Sequence, residues 1–215
     1  MPNDTAKLLV DLFENNAAAH GYDSHQDAFW RPEVNATLAW FADFHQNRLA
    51  IGKPAVIEGE GTLTLAIEGE EFTLKAYADR IDITANGQID VFDYKSKTMP
   101  SFKQVKSDFN PQLPLTAMIA EAGGFETLDA STINSFYYLR FLQLDPTKTD
   151  KTGAEESEAI DAVRAAHEGL RKIIAHYNDE KTPYLSQPRP EFTNDFGDYD
   201  QLARRRESLI EVDAS

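Results

Sequence analysis

Three residues near the middle of the chain, Asp82, Asp93 and Lys95, have the types and spacing to handle a phosphate ester. They flank Asn86-Gly87, the strongest short signal for a β-hairpin turn. With those two residues as the loop, Asp82 pairs with Val91 and Arg80 with Asp93. Paired residues, and alternate residues along one strand, share a face of a sheet. Asp82, Asp93 and Lys95 then point the same way, the two aspartates as diagonal neighbours with β-carbons roughly 6–8 Å apart. Ile81, Ile83, Phe92 and Tyr94 fill the other face. Like charges that close destabilise each other, and a divalent cation between them removes the penalty. Hard oxygen ligands select Mg²⁺, with Mn²⁺ as a substitute. Such an ion polarises a phosphoryl oxygen and lowers the pKa of a bound water, and a lysine beside it positions that water. The chemistry within reach is metal-assisted hydrolysis of a phosphodiester. On spacing alone, a solvated strand face with an ordinary Arg80–Asp93 pair accounts for the same residues.

Lys97, Lys103 and Lys106 follow Lys95 in a stretch that carries no acid from Tyr94 to Ser107. The chain as a whole has a formal charge of −15, which excludes holding nucleic acid by whole-molecule electrostatics. Any such contact has to come from a local basic surface, and this stretch is where one would lie; a solvated helix face is the plain alternative.

The elements that must position these groups are legible in outline. Leu8, Leu9, Leu12 and Phe13 recur at helical spacing over residues 4–19, and a second helix carries Trp30, Val34, Leu38, Phe41 and Phe44 or His45 on one face. Strands follow at 56–67, 72–84 and 89–95 as an antiparallel meander. A short helix is predicted at 101–107, and another opens at Asn110-Pro111 and closes at Gly123-Gly124. Residues 133–142 read as a buried strand, 145–153 as a polar loop, and 155–177 as a long helix. The order predicts a single α/β domain with a mixed sheet flanked by helices: a helical part over 1–52, the sheet and site over 53–142, and a helix and tail over 143–215.

With 215 residues, 41% hydrophobic and 27% charged, the composition is that of a globular chain. There are no cysteines, which excludes disulfide scaffolds, thiolate metal sites and cysteine nucleophiles. No apolar run is long enough to span a membrane, and the acidic N-terminus is unlike a secretory signal, so a cytoplasmic location is expected. Neither a phosphate-binding GxxxxGK[ST] loop nor a GxSxG elbow occurs. Histidines 20, 25, 45, 167 and 176 show no mutual ligand spacing and read as surface or packing residues.

ADRID (78–82), IDVFDYKS (89–96) and NPQLPLTAMIAEAGGF (110–125), followed by TPYLSQPRP (182–190) and GDYDQLAR (197–204), resemble in order the nuclease domain of RecB-family exonucleases, within the PD-(D/E)XK superfamily. The likeness is nearest to the C-terminal domain of AddB-type subunits of double-strand break repair helicase–nucleases. It implies a restriction-endonuclease-like fold and a Mg²⁺-dependent DNA exonuclease acting on single strands, with a helicase or ATPase partner of the AddA type. It also implies roles. Asp82 matches the first metal-binding aspartate, Asp93 and Lys95 the Asp-x-Lys pair, and Tyr94 offers a backbone carbonyl to the metal. Gln112 matches a glutamine beside the site, and Glu58 an upstream acidic position. Lys97, Lys103 and Lys106 would steer the strand. The chain departs from the pattern in Ser96-Lys97, where Thr-Gly is common, in Thr116, where tyrosine or glutamate is usual, and in lacking the sequence context of an upstream metal-ligand histidine. That last departure also suits a catalytically silent module for DNA binding or subunit docking.

Overall fold

The structure is a computed structural model that describes residues 2–21, 31–96, 100–101, 104–105, 110–140 and 151–184. The chain divides into two compact units, Met1–Arg171 and Lys172–Ser215. The first holds a five-stranded sheet in the order β1-β2-β3-β4-β5, made of β1 (Gly52–Ile67), β2 (Glu70–Thr84), β3 (Ile89–Lys95), β4 (Ile133–Arg140) and β5 (Lys151–Glu155). The helices are α1 (Pro2–Ala19), α2 (Arg31–Ile51), α3 (Gln112–Glu121) and α4 (Glu156–Asn178). This is the mixed α/β architecture expected from the sequence, consistent with the restriction-endonuclease-like fold.

β1, β2 and β3 form the antiparallel meander, while β3 and β4 run parallel and β5 returns antiparallel to β4. A parallel pair needs a crossover of a dozen or more residues, and the segment carrying α3 provides it. β3 and β4 lie in the middle of the sheet with both faces covered, which explains why IDVFDYK and INSFYYLR are buried almost throughout rather than at alternate positions.

One face packs Ile81, Val91, Phe136 and Tyr138 against Leu113, Ala117 and Ile119 of α3 and Ala159 and Val163 of α4. On the other, Phe92, Tyr137 and Leu139 meet Trp40 and Phe44 of α2, with Tyr94. The sequence grouped Ile81 and Phe92 on one apolar face; the structure puts them in different clusters.

The reason is the hairpin. β2 and β3 pair Arg80 with Phe92, Ile81 with Val91, Asp82 with Asp90 and Ile83 with Ile89, one residue away from the register of a two-residue Asn-Gly loop. Thr84 N–H donates to Gln88 O at 2.9 Å, so the loop is Ala85-Asn86-Gly87, with Gly87 in the left-handed region at φ 80°. Asn-Gly serves three-residue loops of this kind as well as two-residue ones. A slip of one residue turns every side chain of the strand to the other face.

Two further boundaries differ. Lys151–Gly153, expected in a polar loop, begin β5. Of the helix expected at 101–107, the described residues are Ser101, Gln104 and Val105; the Gln104 and Val105 amides both donate to Ser101 O. In the second unit, Tyr177 stacks on Tyr184 with ring centroids 4.9 Å apart.

Candidate functional site

β2 and β3 stay paired over four positions and then part. Beyond Phe92, the residues Asp93, Tyr94 and Lys95 keep only their β4 partners Tyr138, Leu139 and Arg140. The groups with chemical potential gather at this fork. Asp93 is 5% exposed. Its Oδ1 accepts from Gln112 Nε2 at 2.7 Å, and its Oδ2 lies 2.7 Å from Lys95 Nζ. Lys95 Nζ also donates to Gln112 Oε1 at 3.3 Å, closing a three-residue ring of contacts. The ammonium sits 5.4 Å from the centroid of the Tyr138 ring, whose hydroxyl donates to Asn110 Oδ1 at 2.7 Å. Gln112 owes its place to the start of α3, where Pro111 ends the preceding loop and the rest of the helix is locked into the core by Leu113, Ala117 and Ile119.

Burial pushes the Asp93 carboxyl above the ordinary aspartate range; Lys95 and Gln112 pull it back down, and the charge of Asp79 adds to the rise. Tyr94 and Tyr138 are likewise raised, chiefly by burial.

Asp79 was not among the residues singled out in the sequence, yet it is the second carboxylate at the fork. Its Oδ2 accepts from Tyr94 N–H at 2.7 Å, replacing the ladder bond lost where the strands separate. One step past the last paired positions, Asp79 lies across from Asp93 in the observed register. A three-residue reading of the Ala85-Asn86-Gly87 loop is the signal that would have pointed to Asp79 in ADRID.

Asp82 does not share a face with Asp93 and Lys95, because it pairs with Asp90. Asp82 turns toward α2, is fully buried, and binds Arg80 Nε at 2.6 Å, Arg80 Nη2 at 3.0 Å and Arg48 Nε at 3.0 Å. Arg48 Nη2 reaches Asp90 Oδ2 at 2.5 Å, and Asp90 Oδ1 accepts from Asn134 Nδ2 and Ser135 Oγ. Two arginines and two aspartates thus neutralise each other beneath α2, with the Arg48 guanidinium 4.8 Å from the Phe92 ring centroid. Burial works against charge on Arg80, but the hydrogen bonds and charge of Asp82 outweigh it and raise the pKa. The Arg80–Asp93 cross-strand pair does not form, because Phe92 occupies that position.

Glu58 is exposed and held at φ 49°, between the pairs Ile57–Arg80 and Gly59–Ala78, which sets it opposite Asp79 in register. Tyr94 sits between the two polar members of the fork, its ring edge-on to Phe41 at 5.9 Å. Lys97, Lys103 and Lys106 lie outside the described residues. His45 is on α2, 3.3 Å from Arg80 Nη1.

Among the described residues no group of three or more His, Asp or Glu side chains converges as a metal cage. The fork offers two aspartates, a donor set that suits Mg²⁺, which is commonly held by one or two carboxylates and keeps waters and phosphate oxygens for the rest. The Asp93 carboxyl, resisted by burial and by Asp79, is where a cation would relieve an existing penalty.

Residues 2–190 match a family described as the PD-(D/E)XK nuclease superfamily. An uncharacterized protein of Rickettsia conorii is 23% identical over 193 residues, covering 81% of this chain and 23% of that protein. An uncharacterized protein of Rickettsia felis is 30% identical over 104 residues, 48% of this chain and 12% of its own length. The chain therefore spans about a quarter or less of the relatives it matches. A crystal structure of SSO0001 aligns at 14% identity and a TM-score of 0.32, over 68% of each chain.

Proposed function

We propose that this chain, which belongs to the PD-(D/E)XK nuclease superfamily, is a metal-dependent deoxyribonuclease domain that trims single-stranded DNA in double-strand break repair. The observation that supports it is the contact ring of Asp93, Lys95 and Gln112, set beside Asp79 where β2 and β3 part. Asp79 and Asp93 would hold the ion, with the Tyr94 carbonyl and Glu58 within the same stretch of sheet. Bound Mg²⁺ or Mn²⁺ would supply charge to polarise a phosphoryl oxygen and acidify water. Lys95, carried on the same strand as Asp93, orients the attacking water and offsets charge developing on the phosphate. Gln112 fixes the rotamer of Asp93 through its amide nitrogen and the place of Lys95 through its amide oxygen. The lysines at 97, 103 and 106 would track the phosphate backbone. AddB-like membership of a helicase–nuclease, an AddA-type motor partner and a cytoplasmic setting belong to the same proposal.

The test is degradation of end-labelled single-stranded DNA with Mg²⁺, Mn²⁺ or chelator, by the wild type, Asp93→Ala and Lys95→Ala. Each substitution is expected to lower the rate roughly a hundredfold or more, and chelation to abolish it. Equal rates in all three proteins sink the assigned roles.

One observation favours a second reading, a silent nuclease-fold module for DNA or subunit docking: no third His, Asp or Glu side chain joins the two aspartates among the described residues. Calorimetric titration with Mn²⁺ separates the two. No heat at millimolar metal, with DNA binding intact, supports the silent module.

A further inference from the structure

Tyr138 stands beside Asp93 in the β3–β4 ladder and is wholly buried in the apolar cluster that includes Leu113 and Ala117 of α3. A ring so enclosed needs no hydroxyl to fill its place, and burying one costs free energy unless it is hydrogen-bonded. Here the hydroxyl is spent on the opening of α3. It donates to Asn110 Oδ1 at 2.7 Å, and the Leu113 backbone N–H interacts with the same oxygen. Asn110 and Leu113 lie two residues before Gln112 and one after it. The side-chain cap that commonly fixes a helix start is missing: Pro111 occupies the N-cap position and makes no such hydrogen bond. The Tyr138 ring meanwhile lies 5.4 Å from Lys95 Nζ. One side chain thus reaches both the ammonium and the turn that carries Gln112, the two groups that hold Asp93.

We infer that Tyr138 is a positioning residue for cleavage, its hydroxyl latching the Asn110–Leu113 turn to β4 and so setting Gln112 against Asp93 and Lys95. The inference rests on the nuclease reading and adds a residue to it. Being wholly buried, Tyr138 acts through its neighbours and not on the substrate. Gln112 makes two hydrogen bonds from a single side-chain amide, at 2.7 Å to Asp93 and 3.3 Å from Lys95. Groups of this kind have to be held to within about 0.5 Å of their working geometry. An uncapped first turn frays, and the Tyr138 hydroxyl supplies the anchor that a cap would give.

The test is Tyr138→Phe, which keeps the ring under Lys95 and removes only the latch. On end-labelled single-stranded DNA with Mg²⁺, kcat is expected to fall roughly ten- to a hundredfold with KM unchanged. In a Gln112→Ala background the same substitution should make no further difference, whereas damage to core packing would recur there. A kcat equal to wild type, a change in KM alone, or a loss that recurs in full without Gln112 overturns the latch. Asn110→Ala cuts the same bond from a half-buried position and decides the matter should Tyr138→Phe fail to fold. The same loss of kcat supports the latch, and an unchanged kcat overturns it. If the wild type cuts nothing, the nuclease reading fails and the latch is judged by itself, from the Gln112 side-chain amide signal in a ¹⁵N spectrum, assigned by its loss in Gln112→Ala. Movement of that signal in Tyr138→Phe toward the position of a solvent-exposed glutamine supports the latch; a signal that stays in place overturns it.

Discussion

Two aspartates three residues apart in ADRID do opposite kinds of work. Asp79 is half-buried at the fork and bonded to one backbone amide. Asp82 is sealed beneath α2 and binds two arginines. Asp79→Ala should therefore lower DNA cleavage at least tenfold while costing about 1 kcal/mol of stability, the worth of a single hydrogen bond. Asp82→Ala leaves Arg80 buried without its carboxylate partner and Arg48 with Asp90 alone, and should cost about 3–5 kcal/mol in urea unfolding. Reversal of that pattern would return the metal-binding role to Asp82. His45 supplies a second expectation at this scale. Burial, and then the charge of Arg80, lower its pKa from 6.5. The folded state thus prefers the neutral ring. The stability this gives is present above the unfolded value and is lost as pH falls through the lowered one. The wild type should lose thermal stability between pH 7 and pH 5 more steeply than His45→Gln, with the two followed side by side in matched buffers. The Asp93-Tyr94-Lys95 spacing was open to reading because it lies within one strand, where alternation fixes the face. The partner carboxylate was not, because its choice depends on loop length across a hairpin.

At the level of elements, what could be read was what is local. The limits of β3, the opening of α3 after Pro111 and the two long helices were all carried by composition and periodicity. β5 was not. Lys151-Thr-Gly-Ala-Glu155 offers one buried apolar side chain, Ala154, so no apolar alternation marks it as a strand. Its fit depends on Gly153: a Cβ there would lie 2.0 Å from Phe136 O and 2.5 Å from Tyr137 Cδ1. Gly153→Ala is accordingly expected to destabilise the protein by roughly 1–3 kcal/mol; a denaturation midpoint equal to wild type would show that β5 can shift freely. The clamp between α2 and the sheet was equally out of reach, since Arg48, Asp82 and Asp90 are brought together only by the tertiary fold.

For the molecule as a whole, the formal charge of −15 sets the terms on which it meets a polyanion. Long-range repulsion works against association, so grip on DNA must come from a few cations and from contacts indifferent to salt. Replacing Lys97, Lys103 and Lys106 together by alanine should reduce the slope of log affinity against log salt by about 2 for single strands. An unchanged slope would remove these lysines from the interface. Both ends of the sheet are also guarded. β1, an edge strand, carries Pro54 beside an irregularity in its pairing, and β5, at the other edge, is five residues long.

Where β2 and β3 diverge, the amide proton of Tyr94 is bound by the Asp79 carboxylate rather than by a neighbouring peptide. The main chain is thereby wired to a side chain that would share its oxygens with an ion. Any occupant that draws on those oxygens weakens their hold on that proton, and the Tyr94 resonance in a ¹⁵N spectrum becomes a gauge of loading, legible in a protein that has cut nothing.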